Sequence, residues 1–86
     1  MKIGRVVSRV ISTRKYDSLQ GYKFLVVEPY NSKDKEWFVA ADTIGAGVGE
    51  LVLVSFGSQV QHALTKTAPI DAVVVGIVDQ EPDTSK

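Results

Sequence analysis

Several valine- and isoleucine-rich runs in this chain are apolar on both faces, which gives the chain two surfaces to bury instead of one. A strand in a small barrel normally alternates, with apolar side chains inward and polar ones outward. YKFLVVE (22–28) instead carries Tyr22, Phe24 and Val26 on one face and Leu25 and Val27 on the other. LVLVSF (51–56) sets Leu51 and Leu53 against Val52, Val54 and Phe56, and AVVVGIVD (72–79) sets Val73, Val75 and Ile77 against Val74 and Val78. KIGRVVSRVI (2–11) is milder, with small residues on one face and Ile3, Val7 and Ile11 interleaved with Arg5 and Arg9 on the other. A barrel has only one inside. A helix or loops can hide part of a second apolar face, but a patch above a few hundred Å² left on a soluble domain marks an interface. Self-association is therefore expected.

With WFVAAD (37–42) these runs make five strands, separated by turn-forming clusters. Pro29, which cannot donate to a ladder, stops the second strand, and PYNSKDKE (29–36) reads as a loop. Ser58 followed by Gln61 has the spacing of a capping box, and Val60, Ala63 and Leu64 give one apolar face before Pro69. The fold class expected is all-β, a small five-stranded barrel with one short helix before the last strand. It forms a single domain over residues 1–79 with a polar tail over 80–86.

A chain of 86 residues buries only about 60–65% of its unfolded surface, which leaves little margin for a lone monomer. It has no cysteine, so neither disulfides nor thiolate-bound metals reinforce it. Ten basic residues balance ten acidic ones, which argues against a nucleic-acid partner and leaves little electrostatic resistance to association. Lys2, Arg5 and Arg9 interrupt any export-signal core, and no apolar run approaches bilayer-spanning length. The sequence reads as a soluble cytoplasmic protein with no membrane partner.

DTIGAGVGE (42–50) looks at first like a phosphate cradle. It fails the dinucleotide fingerprint, because its glycines fall as G-x-G-x-G and a strand follows instead of a helix. It fails the P-loop pattern as well, since no lysine or hydroxyl follows Gly49. A tight turn, with Asp42 accepting backbone amides, explains one or two glycines. Three at alternate positions clear one face of an extended segment so that another backbone can approach closely. A subunit contact is the sharper reading.

The order GRVV (4–7), LVVEP (25–29), AADTIGAGVGELVLV (40–54), GS (57–58) and PIDAVVVGIVD (69–79) resembles the EutN/CcmL family. These are the pentameric vertex proteins of bacterial microcompartment shells. The resemblance implies an OB-like five-stranded barrel and a ring-shaped homopentamer at the five-fold corners of a shell whose flat tiles are hexameric proteins. It carries the subunit interface to Asp42, Gly45, Ala46, Gly47, Val48, Gly49 and Glu50, and makes Gly57, Ser58 and Gln59 candidates to line an axial opening. Lys33, Asp34, Lys35 and Glu36 are candidates for the rim that meets a tile. Where family members often have Ser-Ala-Arg after the GS step, this chain has Gln59, Val60 and Gln61, so the arginine's charge is absent.

Two other classes compete with a shell role. Ser58, His62 and Asp71 assemble a Ser–His–Asp set only on paper, with no flanking signature. Asp42, Asp71 and Asp79 have no recognisable metal-ligand spacing. Neither catalysis nor a cofactor is expected. Arg5, Arg9, Arg14 and Lys15 near Tyr16 and Tyr22 are the elements of an OB-fold groove for single-stranded nucleic acid, kept as the alternative.

Overall fold

The computed structural model describes residues 1–33, 36–64 and 68–82. The five expected strands are β1 (Lys2–Arg9), β2 (Lys23–Pro29), β3 (Phe38–Asp42), β4 (Leu51–Phe56) and β5 (Ala72–Val78). They close into a barrel in the order β1-β2-β3-β5-β4. Three of the joints next to β1 and β2 are antiparallel ladders, with Gly4 opposite both Pro29 of β2 and Val52 of β4, and Leu25 opposite Ala40 of β3. β4 and β5 are antiparallel too, while β3 and β5 run parallel through Ala41↔Val73 and Asp42↔Val74. Pro29 occupies the last position of β2, where its missing amide costs nothing, and the ladder resumes with Tyr30 N–H donating to the Ile3 carbonyl at 3.0 Å.

Both faces of the strands find cover, from different sources. The inside is filled by Val6, Leu25, Val27, Ala40, Ala46, Val52, Val54, Ala72 and Val74, none more than 2% exposed, with Phe38 and Phe56 packed against them. Gly4 belongs to this wall because a β-carbon there would collide with Val27 Cγ1 and stand 3.0 Å from the Glu28 carbonyl oxygen. A second cluster lies on the other face of β3 and β5, where Ala41 and Val73 pack against Val60, Ala68 and Ile70, with Phe24 and Leu64 alongside. The chain thus covers part of its second apolar face with its own connection between β4 and β5. Val39 and Ile77 stay exposed at 49% and 37%.

The short helix before the last strand is a 3-10 helix, Ser58–Ala63, with Gly57 as its N-cap residue at φ 84°. Gly57 and not Ser58 holds the N-cap position, and the Ser58 side chain of the expected capping box lies outside the described residues. Gln61 has another task, since its Nε2 donates to the carbonyls of Ala68 at 2.9 Å and Ile70 at 3.2 Å, and its Oε1 accepts from Ala68 N–H at 3.3 Å. These bonds fold the chain back beside the helix and bring Val60, Ala68 and Ile70 onto the barrel wall. Ala63, expected on the apolar face, is exposed.

Candidate functional site

The alternation along β3 that sends Ala40 inward sends Asp42 inward as well, and its side chain has no accessible surface. A buried carboxylate needs several donors. Here Oδ1 accepts from the amides of Ile44 and Gly45, both at 2.9 Å, and Oδ2 accepts from Ala46 N–H at 2.9 Å. Lys23 Nζ stands 3.9 Å from Oδ2. The amides of 44–46 form the kind of nest that an outside anion would use, but each is already bonded to the chain's own carboxylate. The phosphate reading therefore fails on geometry as it does on spacing.

The rest of the loop is fixed at its far end. Ala46 drops into the barrel interior. Gly47 N–H donates to Glu50 Oε1 at 2.6 Å, and Glu50 N–H donates back to the Gly47 carbonyl at 3.2 Å. Gly49 N–H then donates to the Val6 carbonyl at 2.9 Å, Val6 N–H to the Glu50 carbonyl at 2.9 Å, and Arg5 Nη1 to the Gly49 carbonyl at 2.8 Å. Arg5 Nη2 also reaches Glu81 Oε1 at 3.2 Å, and the Tyr30 hydroxyl donates to Glu81 Oε2 at 3.3 Å. Desolvation first, and then the Glu81 charge, hold the Tyr30 hydroxyl above its usual pKa.

The three glycines are not equivalent. Gly45 and Gly49 adopt φ 97° and 91°, the left-handed region that other residues avoid, so the loop's own backbone requires them. Gly47 has no such φ, and a β-carbon there would meet only the flexible end of Glu50, Oε1 at 3.4 Å. Among the described residues, nothing requires a glycine at 47. Around it the loop turns Ile44 and Val48 outward, 49% and 62% exposed. A self-satisfied backbone that presents two aliphatic side chains and one bare position has the makings of a contact surface.

The other candidates are scattered. Gly57 is exposed and its N–H donates to the Asp71 carbonyl at 3.1 Å, while the side chains of Ser58 and Gln59 lie outside the described residues, as do Asp34 and Lys35. His62 and Asp71 are both exposed. No group of three or more His, Asp or Glu suited to a metal occurs among the described residues. Of the nucleic-acid set, Arg5 is tied to Gly49 and Glu81, and Tyr22 stacks edge-on with Phe24 at 6.5 Å as part of the outer cluster. Sequence reasoning missed Arg5 as the clamp on the loop and Glu50 as the side chain that closes it. The Gly47-to-Glu50 spacing of a four-residue turn signalled the second, and no local signal existed for the first.

The fold and loop define a five-stranded OB-like barrel whose interior is filled with side chains and whose elaborated surface is an anchored glycine loop. Residues 1–79 match the family described as "Ethanolamine utilisation protein EutN/carboxysome", and the chain belongs to that EutN/CcmL family. Carboxysome shell vertex protein CcmL of Thermosynechococcus vestitus is 52% identical over 84 residues, spanning 92% of this chain and 84% of that protein. Bacterial microcompartment shell vertex protein GrpN of Rhodospirillum rubrum is 47% identical over 83 residues, spanning 92% and 93%. The solved structure of GrpN, described as a pentameric microcompartment shell protein, superposes with a TM-score of 0.83 at 46% identity, covering 93% of this chain and 95% of that one. Gloeobacter violaceus CcmL superposes with a TM-score of 0.86 at 37% identity, covering 100% and 93%.

Proposed function

We propose that this protein is a structural shell subunit that closes into a homopentamer and caps the five-fold vertices of a bacterial microcompartment in the cytoplasm. The observation that carries the reading is the near full-length likeness to shell vertex proteins, one of them solved and described as pentameric. The loop at 42–50 supports it, since its conformation is complete within the subunit while its aliphatic side chains face out. Asp42 holds the interface from behind, with Gly45, Ala46, Gly47, Val48, Gly49 and Glu50 making up the contact segment. Gly57, Ser58 and Gln59 line the axial opening. Lys33 and Glu36, both exposed, contribute to the rim that meets hexameric tiles. The protein catalyses nothing and needs no cofactor. Native mass spectrometry across a concentration series tests the ring directly. A dominant five-chain species is the outcome expected, and a monomer at every concentration overturns the proposal.

A further inference from the structure

A cyclic ring joins unlike surfaces, so each subunit needs one patch that projects and another that receives. The projecting patch is described above, with Ile44 and Val48 held out on a loop whose backbone is tied to Asp42 at one end and to Arg5 and Val6 at the other. The receiving patch lies on the outer face of the barrel. A groove of about 320 Å³ runs over the outer face of β2 and β3, floored by Phe24, Val39 and Ala41 and walled by Val10, Leu19 and Ile70. A neighbouring recess shares Val10, Ser12, Lys15 and Phe24 with it and extends it toward Arg9 and Lys23.

The two patches are different surfaces of one subunit. The loop leaves β3 at Asp42 and runs to β4, which pairs with β1 and β5, whereas the groove lies on the outer face of β2 and β3. Their charges are complementary. Arg9, Lys15 and Lys23 border the groove and recess; Lys23 pairs with Asp42, and Asp71 is the one acid of the lining, which leaves +2 − 1 = +1. Among 43–50 the one charged residue is Glu50, and the Leu51↔Val78 pairing sets exposed Asp79 close to it, giving −2. Arg5 and Glu81 pair with each other and cancel. The groove is apolar and has room for a pair of aliphatic side chains, and the chain carries such a pair, Ile44 and Val48, on the loop between β3 and β4.

We propose that the β2–β3 groove is the socket into which Ile44 and Val48 of a second copy of this chain insert, with Glu50 and Asp79 facing Arg9 and Lys15 across the joint. The assignment rests on the ring reading and adds which surfaces meet. Bare Gly47, between the two inserted side chains and next to Val48, is where the neighbour's wall approaches the loop backbone.

The absence of cysteine allows a clean test. In a double variant, Val48→Cys with Val39→Cys, mild oxidation should produce covalent ladders up to five chains on a non-reducing denaturing gel, while each single variant runs as one chain. Ile44→Cys with Val39→Cys provides a second geometry. If both double variants are pentameric by native mass spectrometry yet neither cross-links, the socket is wrong and the ring stands. If the wild-type chain is monomeric throughout, the ring fails and takes the socket with it. Lys15→Glu should raise the half-assembly concentration at least tenfold, and an unchanged value counts against the charge match.

Discussion

Two connections in this molecule solve the same problem in opposite ways. The 43–50 loop links β3 to β4 and is held by the three bonds of Asp42, while the 57–71 segment links β4 to β5 and is held by the three bonds of Gln61. The first anchor is a fully buried charge and the second a half-buried neutral amide. The second connection turns Val60, Ala68 and Ile70 inward to cover the barrel's outer wall. The first sends only Ala46 inward and holds Ile44 and Val48 out. One connection completes the subunit, and the other is shaped for something outside it.

The contrast is best broken at its strongest anchor. Asp42→Ala strips the acceptor from three amides, one of them buried, and should cost about 3 kcal/mol or more at the usual penalty for orphaned buried groups. That corresponds to a melting temperature lower by roughly 12 °C or more for a domain of this size. Gln61→Ala should cost about 1–2 kcal/mol, because water reaches the half-buried carbonyls it leaves behind. It should leave the ring assembled. Equal losses in thermal melts of the two variants would erase the distinction between the anchors. Gly47→Val should change the stability of the isolated subunit by no more than about 0.5 kcal/mol, since only the Glu50 carboxylate has to move. Yet it should convert five-chain species to smaller ones in native mass spectra. A Gly47→Val ring as stable as the wild type would remove the loop from the interface.

Much of this was legible in the sequence, for physical reasons that also mark where legibility stops. Strands announce themselves through a run of β-branched residues, and the five appear within a residue or two of their expected ends. Asp42 was readable as a turn acceptor because its partners lie two to four residues on. Gln61 was misread because a residue three places after a serine fits a capping box whether it reaches back or forward, and its real partners lie seven and nine residues ahead. The Arg5 clamp joins residues 44 and 76 positions apart, a separation at which no spacing rule operates. The three glycines looked alike as letters. Only φ and the space around each show that two serve the loop and one serves nothing within the subunit.

The filled barrel has a consequence for traffic. Its core is filled, with Leu25, Val27, Val52, Val54 and Val74 at 0% exposure, Ala46 buried among them and the Phe38 and Phe56 rings packed at a tilt, 5.1 Å between centroids. Among the described residues, side chains occupy the barrel interior, so the subunit's own core is packing and not a pore. In a shell capped by it, passage at a corner is confined to the space that neighbours leave between them. Permeability at the corner would then be governed by how five copies meet, and a change that loosens their joints would leak before it unfolds anything.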